Sequence, residues 1–144
     1  MTVRPYRRGD FESIMELWVA TGMGRPDRGD CEETVERSVS MGGALLVLCA
    51  DQEGEKIIGT SWMTFDGRRI HLHHFGILPE FQGQGLSKVL LRESLRFVKE
   101  KGYQVKLEVH RSDSKAVGIY EKAGFRYLGD YDVYIIRDLQ SIDI

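Results

Sequence analysis

The chain has 144 residues, of which 42% are hydrophobic and 29% charged, so it is expected to fold as one globular domain over residues 1–144. Its formal net charge of −2 leaves no basic footprint for nucleic acid, and no apolar stretch has the length of a membrane span. One of its two cysteines, Cys49, lies in an apolar run, as is typical of a reducing compartment. We therefore expect a cytoplasmic protein whose partners include neither nucleic acid nor membrane.

The first forty residues predict a strand followed by two helices. Thr2–Pro5 is expected to be a short strand. Asp10 is a candidate N-cap for a helix whose apolar residues recur at helical spacing from Phe11 to Trp18. Residues 21–30 are predicted to form a loop because they contain glycines and a proline, and a short helix is predicted over residues 32–39.

Strands are predicted to dominate the middle of the chain. Residues 44–50 form a continuous apolar run, as expected for a central strand. Residues 56–65 and 68–78 predict two further strands, and Asp66-Gly67 predicts the hairpin turn between them.

Helices and strands alternate in the remainder. Leu86–Lys101 is the longest predicted helix, with Gly102 as its C-cap. A strand over residues 105–109, a helix around residues 116–123 and closing strands over residues 125–128 and 131–137 are predicted to follow. This order favours an α/β (α+β) domain in which helices cover a mixed sheet.

A loop that contains two glycines joins the strand of residues 68–78 to the long helix. Glycines let the backbone turn tightly and bring several N–H groups together, and the helix behind adds the positive end of its dipole. Such a turn suits a phosphate or pyrophosphate, although many turns of this kind are purely structural. The loop lacks both the Gly-Lys-Ser/Thr of a nucleoside-triphosphate loop and a G-x-G-x-x-G sequence.

The loop Gln82-Gly83-Gln84-Gly85-Leu86-Ser87 resembles the coenzyme A pyrophosphate loop of the GNAT superfamily of N-acetyltransferases, Gln/Arg-x-x-Gly-x-Gly/Ala. Ser87 takes the place of the usual Gly or Ala. Residues 108–125 resemble a later motif of the same family, with Ala116, Tyr120, Gly124 and Phe125 in register and Asp113 where Asn is usual. The two motifs are in the family's order and together cover residues 70–125.

The resemblance implies a GNAT fold, with about six to seven strands in a mixed central sheet, about four flanking helices and two splayed parallel strands. It implies acetyl-CoA as cosubstrate, no metal, and transfer of the acetyl group to a primary amine by direct attack in a ternary complex. The acceptor, a small-molecule amine or a peptide N-terminus, stays open, as does the acyl-chain preference. A homodimer is compatible with the family.

The cofactor site that the resemblance implies has two parts. The pantetheine arm is expected to pair with the backbone of Phe75, Gly76, Ile77 and Leu78, whose N–H groups would polarise the thioester carbonyl. A mid-strand Gly76 fits such a close approach, with a packing glycine as the alternative. The other expected contacts are Gln82, Gly83, Gln84, Gly85, Leu86, Ser87, Lys88, Asp113, Lys115 and Tyr120.

Three residues are candidates for proton transfer. By the family's register, Tyr120 is the acid that protonates the departing thiolate; its alternative role is a core aromatic. Glu108 and His73 are rival general bases, since a glutamate at this register activates the amine in related peptide acetyltransferases and an imidazole with a pKa of about 6.5 is competent near neutrality. Each has a structural alternative, a solvated strand charge for Glu108 and an ordinary sheet residue for His73.

Acceptor binding is assigned to the same cleft. Glu108 and His73 are expected to contact the amine. Arg25 and Arg28, in the loop between the first two helices, are candidates for pairing with an acceptor carboxylate, with plain surface charge as the alternative.

Two other functional classes remain as alternatives. A non-catalytic acyl-CoA-binding sensor or assembly module would bind the cofactor without turnover. His71 and His73, two residues apart on one strand, suit a metallohydrolase, but no carboxylate cluster or CxxC sequence accompanies them.

Overall fold

The sheet has five strands in the spatial order β1-β2-β3-β4-β5 in a computed structural model that describes residues 1–24 and 28–144. The pairs from β1 to β4 are antiparallel, whereas β5 is parallel to β4. The strands are β1 (Thr2–Pro5), β2 (Ala44–Cys49), β3 (Ile57–Phe65), β4 (Arg69–Ile77) and β5 (Gln104–Leu107).

Four α-helices cover the two faces of this sheet. They are α1 (Phe11–Thr21), α2 (Glu32–Ser40), α3 (Leu86–Lys101) and α4 (Ser114–Lys122). Alternation along the strands directs Trp62 towards α1 and α2, and its neighbour Met63 into the cluster that contains residues of α3 and α4. Short 3-10 helices lie at Pro79–Phe81 and Leu139–Ser141.

An ion pair joins the first strand to the first helix. Asp10 precedes α1 as predicted, but its carboxylate does not cap that helix. It accepts hydrogen bonds from both terminal nitrogens of Arg4, at 2.8 and 2.9 Å, and from the backbone N–H of Arg7 at 2.8 Å. Arg4 also donates to the carbonyl oxygen of Gly54. The start of the chain is thereby fixed to the turn that precedes β3.

The predicted closing strands are wrong. Residues 125–128 and 131–137 do not pair in the sheet, which therefore has five strands and not six to seven. The sequence has the local pattern of strands there, but a strand forms only where another strand supplies hydrogen-bond partners. We call residues 126–144 the C-terminal arm.

The other predicted elements are confirmed with small shifts of their ends, and so are the α/β class, the four helices and the parallel pair. One shift affects a site residue: β5 ends at Leu107, so Glu108 follows the strand and does not lie on it. None of the helices in the described ranges combines the length and the apolar character that crossing a bilayer requires.

Candidate acetyl-transfer site

The parallel strands β4 and β5 separate halfway along β4. Their pairing runs from Arg69↔Gln104 to Leu72↔Leu107, while β4 continues to Ile77. The last five residues of β4 therefore have no partner strand on the β5 side, and their backbone borders an open cleft.

A bulge in β4 sets which side chains face this cleft. Thr60 of β3 pairs with Gly76 and Trp62 pairs with His73, so two residues of β4, His74 and Phe75, lie opposite one residue of β3. A bulge of this kind re-aims the side chains that follow it. Phe75 packs with the α3–α4 cluster, whereas the His73 and His74 rings both lie near Trp62 on the opposite face.

Buried polar contacts hold the bulge in place. His74 has a φ of +43°, a left-handed backbone conformation that is uncommon outside glycine. The Thr60 hydroxyl donates to the His74 carbonyl oxygen at 2.8 Å and accepts from the indole N–H of Trp18 at 2.9 Å. The His74 ring lies 4.5 Å from the Trp18 ring, and its Nε2 atom lies 3.1 Å from Oδ1 of Asp30. These contacts compensate for the strain at His74.

The cleft has a volume of about 660 Å³ and brings together most of the predicted chemical groups. One wall is the β4 stretch from His71 to Phe75, and the other is the segment from Lys106 to His110. Tyr120 and Asp113 line it from α4 and its N-cap, and Met23 and Arg28 from the loop after α1. Tyr120, Glu108, His73 and Arg28 thus share one space.

Tyr120 is held rigidly at the wall of the cleft. Its side chain is buried, and its ring makes edge-on contacts with Phe75 at 5.8 Å and Phe125 at 5.7 Å between centroids. Burial, with a smaller contribution from the charge of Asp113, raises the pKa of Tyr120 to about 12. The phenol therefore keeps its proton throughout the neutral and mildly alkaline range.

His73 is a weaker base than its sequence position suggests. Although much of the His73 side chain is exposed, desolvation of its ring by the surrounding groups, together with the charges of His74 and His71, lowers the pKa of His73 to about 4. Its Nε2 atom shares a hydrogen bond of 2.9 Å with the Thr64 hydroxyl. The imidazole is thus neutral at pH 7, and one ring nitrogen is already engaged.

Glu108 and Asp113 are the carboxylates on the far side of the cleft. Glu108 is exposed and lines the cleft directly after β5 ends. Asp113 caps α4, because its Oδ1 accepts from the backbone N–H of Ala116 at 3.1 Å. The residue that replaces the family's usual Asn therefore has a structural role as the helix cap.

The glycine loop follows β4 and does not line the cleft itself. Gly83 and Gly85 have φ values of +79° and +78°, and Gly85 is the residue before α3. No side chain caps the helix, its first turn carries no acidic residue, and a Cβ at either glycine would meet open space. The first N–H groups of α3 are therefore available to an anion. Gln82 donates from Nε2 to the carbonyl oxygen of Ile77 at 2.8 Å and so ties the loop to β4.

The other residues that were predicted to contact the cofactor or the acceptor lie partly in the core and partly on the surface. Ile77 and Leu86 are buried in the core cluster beneath the loop, and Leu78 packs against it. Ser87 is half-buried, whereas Lys88 and Lys115 are exposed in the first turns of α3 and α4. Arg25, predicted with Arg28 to bind an acceptor carboxylate, lies outside the described residues.

The histidines have partners other than a metal. His71 Nε2 lies 3.1 Å from Oδ2 of Asp66, and its ring stacks on that of His73 at 5.9 Å. Within residues 1–24 and 28–144, no group of three or more His, Cys, Asp or Glu side chains has a geometry that could hold a metal ion.

The support of the bulge was missed by the sequence reasoning. Trp18 and Thr60 were placed only in a helix and a strand, and Asp30 only in a loop. No local signal indicated the bulge, because the placement of both His73 and His74 on one face is visible only in the folded sheet.

A hollow of about 760 Å³ on the outer side of α1 is larger than the cleft. It is lined by apolar side chains such as Phe11 and Met15 and by Glu12, Glu16 and Glu32. None of the predicted catalytic groups borders it, so the chemistry belongs to the cleft.

Solved structures of acetyltransferases share this architecture. A GNAT family acetyltransferase of Staphylococcus aureus Mu50 superimposes with a TM-score of 0.74 at 20% identity, over 87% of this chain and 82% of that one. A GNAT family protein of Streptococcus pneumoniae gives 0.69 at 26% identity, over 95% and 98%. A GNAT acetyltransferase of Elizabethkingia anophelis with acetyl-CoA bound gives 0.65 at 21% identity, over 87% and 75%.

The sequence comparison adds a family match to this structural likeness. Residues 30–133 match the model of the acetyltransferase (GNAT) domain. The matched stretch contains the β4 bulge, the glycine loop, Glu108 and Tyr120, and it spans well over half of the chain. The chain belongs to the GNAT family of acetyltransferases.

Proposed function

We propose that this protein transfers the acetyl group of acetyl-CoA to a primary amine by direct attack within a ternary complex. The observation that carries the proposal is the meeting of Tyr120, Glu108 and the unpaired end of β4 in one cleft, with the uncapped N-terminus of α3 beyond it. The Elizabethkingia anophelis neighbour, which has acetyl-CoA bound, supports the choice of cosubstrate.

In this proposal the glycine loop and β4 bind the cosubstrate. The N–H groups of Gly83, Gly85 and the first turn of α3 take the pyrophosphate, with Lys88 and Lys115 nearby as cations. The unpaired backbone of β4 from Phe75 to Ile77, and Leu78 directly after it, receive the pantetheine arm as an added strand. N–H groups at the bulge then stabilise the negative charge that develops on the thioester oxygen.

Two side chains move protons in the reaction. Glu108, directly or through a water molecule, accepts a proton from the acceptor amine as its nitrogen attacks the thioester carbon. The carbon–sulfur bond then breaks, and Tyr120 gives its proton to the departing sulfur. A phenol with a pKa of about 12 carries that proton at every working pH. A thiol has a reference pKa of about 8.5, so the transfer is uphill and requires the departing sulfur to lie in hydrogen-bond contact with the phenol.

The charge of each side chain distinguishes the two candidates for the general base, Glu108 and His73. Glu108 is exposed at the open side of the cleft, where an ammonium substrate enters. His73 is neutral at pH 7 and its Nε2 atom is engaged by Thr64, so it offers an incoming ammonium group neither a negative charge nor a free Nε2 atom. We assign the base role to Glu108 and give His73 a role in orienting the acceptor.

Arg28 favours an acceptor that carries a carboxylate beside its amine, such as an amino acid or a peptide. The guanidinium lines the same cleft as Glu108, so the two ends of such a molecule would meet opposite charges. Arg25 remains a candidate for the same role on the basis of its sequence position.

The cytoplasm is proposed as the compartment because Cys31 and Cys49 are both free thiols.

The test is an assay of CoA release with amino acids, polyamines, aminoglycosides and short peptides as acceptors. Tyr120→Phe is expected to lower kcat at least tenfold, with little change in the KM for acetyl-CoA, because the ring contacts remain and only the proton is lost. Tyr103→Phe is the matched control, since Tyr103 packs on Phe65 outside the cleft.

Three results would separate the alternatives. Turnover that depends on the Tyr120 hydroxyl supports the enzyme. Acetyl-CoA binding without turnover for any amine would favour the sensor or assembly module. Failure to bind acetyl-CoA would contradict the proposed function as a whole.

A further inference from the structure

One face of Gly76 is covered by a side chain from another part of the chain. A Cβ atom at Gly76 would lie 2.8 Å from the Sδ atom of Met23 and 2.9 Å from its Cε atom. Both distances are too short for a carbon atom, so the Met23 thioether occupies the space that a side chain at position 76 would need. Gly76 belongs to the end of β4 that has no partner strand on the β5 side. The thioether therefore lies against the backbone that borders the cleft.

Met23 is fixed at its backbone by the loop that follows α1. Its N–H group donates to the carbonyl oxygen of Trp18 at 2.9 Å. The next residue, Gly24, is buried between Trp18 and Asp30, since a Cβ atom there would lie 3.1 Å from an atom of each. Asp30 is in turn 3.1 Å from the His74 ring at the bulge. The backbone of Met23 is thus tied to β4, while its unbranched thioether end keeps some freedom.

Met23 differs in chemistry from the other side chains that line the cleft on the α1 side of the sheet. Within the described residues, those side chains carry hydroxyl, guanidinium or imidazole groups: Thr21, Arg28, His71, His73 and His74. Met23 is half-buried and packs against the core cluster that contains Trp18 and Trp62. An apolar group that entered the cleft on this side would have the Met23 thioether as its apolar neighbour.

The proposed position of the thioester sets the direction of its acyl chain. The oxygen, the sulfur and the acyl carbon diverge in one plane from the thioester carbon. The oxygen is proposed to lie at the N–H groups of the bulge and the sulfur at Tyr120, which packs on the α3–α4 side of the sheet. The acyl carbon then points towards the α1 side, where Met23 lies. An acetyl group ends there at its methyl carbon, whereas a longer chain continues into the space that the thioether fills.

We propose that Met23 determines which acyl group the protein accepts, because its thioether closes the space over Gly76 at the size of an acetyl group. The inference rests on the proposed function, from which it takes the position of the thioester. One extra methylene in an apolar pocket typically changes recognition by about 10- to 200-fold. A methionine side chain adapts more easily than a branched one, so the lower end of that range applies here. Acetyl-CoA is thus favoured over propionyl-CoA, and butyryl-CoA is the poorest of the three.

The first experiment measures the Kd of CoA, acetyl-CoA, propionyl-CoA and butyryl-CoA by calorimetric titration without an acceptor amine. It needs neither turnover nor a substitution. The unmodified chain is expected to bind butyryl-CoA at least about tenfold more weakly than acetyl-CoA. Equal affinity for these two would overturn the inference and leave the proposed function intact. A chain that binds none of the four compounds would contradict the proposed function, and the inference with it.

The second experiment compares two substitutions of the same kind. Met23→Ala removes the thioether and leaves room for the two further carbon atoms of a butyryl group. The Kd of butyryl-CoA is therefore expected to fall to within about threefold of that of acetyl-CoA. CoA, which carries no acyl group, is the internal reference. Met15→Ala is the matched control, because Met15 is half-buried against the same core cluster but lines the hollow on the outer side of α1.

Thermal unfolding of both variants shows that they are folded before their affinities are compared. Loss of the preference for acetyl-CoA in Met23→Ala alone is the expected result. A preference that persists in Met23→Ala would overturn the role of the thioether. Equal loss in both variants would also overturn it, since the preference would then depend on the packing of the core cluster.

Discussion

His73 and His74 are neighbours in the chain, yet both of their rings face Trp62, at centroid distances of 6.3 and 5.1 Å. The bulge in β4 produces this arrangement, since it places two residues opposite one residue of β3. The same extra residue directs Phe75 to the other face, where it meets Tyr120. One irregularity in the ladder thus arranges both the acceptor side and the leaving-group side of the cleft.

The general base can be identified by a pair of substitutions. Glu108→Gln is expected to lower kcat/KM about a hundredfold, because it removes the proton acceptor and leaves a side chain of the same shape. His73→Gln is expected to have a smaller effect, mainly on the KM of the acceptor. Steady-state kinetics with the acceptor from the panel assay measures both, and Glu121→Gln on the exposed side of α4 is the control. A larger loss from His73→Gln would reverse the assignment.

The left-handed backbone conformation of Gly85 leads to a prediction about the binding of the cosubstrate. Gly85→Ala places a Cβ on a residue with a φ of +78° at the start of α3, so it is expected to raise the Kd for CoA at least about tenfold and to destabilise the fold by about 1 kcal/mol. Calorimetric titration and urea unfolding measure the two effects.

Gly102→Ala is the matched control for this strain. Gly102 has a φ of +82° and open space around it at the other end of the same helix. The control should lose similar stability and bind CoA normally. Equal weakening of CoA binding by both variants would show that strain in α3 causes the effect, and not contact with the loop.

The titration of His73 should occur well below neutrality. Its pKa is lowered from about 6.5 to about 4, so the unfolded chain binds a proton at this residue more readily than the folded chain does. The contribution of His73 to stability is therefore complete above pH 6.5 and is lost as the pH falls from about 6.5 to about 4. NMR of the imidazole, with His73→Gln to assign the signal, measures the midpoint. A midpoint near 6.5 would contradict the inferred environment.

The ion pair between Arg4 and Asp10 should be important for stability. Both side chains are largely buried, at 14% and 10% exposure, so Arg4→Ala would leave a carboxylate without its partner in the core. The expected loss is about 3 kcal/mol in the free energy of unfolding. Arg7→Ala, which removes an exposed pair with Glu55, should cost less than about 1 kcal/mol.

The pH dependence of this pair has a defined sign. Burial by itself would raise the pKa of Asp10, but hydrogen bonds from Arg4 and the Arg7 N–H, together with their charges, outweigh it and lower the pKa. The stabilisation is therefore present above the unfolded pKa of about 3.9 and is lost as the pH falls below it. The difference in the free energy of unfolding between the parent and Arg4→Ala should be smaller at pH 3 than at pH 7. A constant difference would contradict the assignment.

Much of the fold could be predicted from local patterns. The helix Leu86–Lys101 was predicted with both ends correct, because its apolar spacing and Gly102 are local signals. The two family motifs likewise identified the loop, Glu108 and Tyr120 as groups to look for. Where a signal lies within a few residues of the structure it specifies, the sequence is sufficient.

The features that the sequence did not predict correctly depend on contacts between residues that are far apart in the chain. Residues 131–137 are rich in β-branched and aromatic residues, as strands are, but pairing depends on a free strand edge elsewhere in the chain. The bulge at His74 depends on Thr60 and Trp18, which are distant in sequence. The lowered pKa of His73 follows from the neighbours that this packing provides, so the reference value of the free imidazole was a poor guide.

The packing of Trp18 and Trp62 around His74 makes the protein its own optical probe. The chain contains two tryptophans, and their rings stack at 5.5 Å on the inner side of the bulge. The indole emission of the protein therefore comes from two rings that both contact His74, which lines the acceptor cleft. Any ligand that shifts His74 or the strand beneath it will change that emission, so binding can be followed in real time without a label.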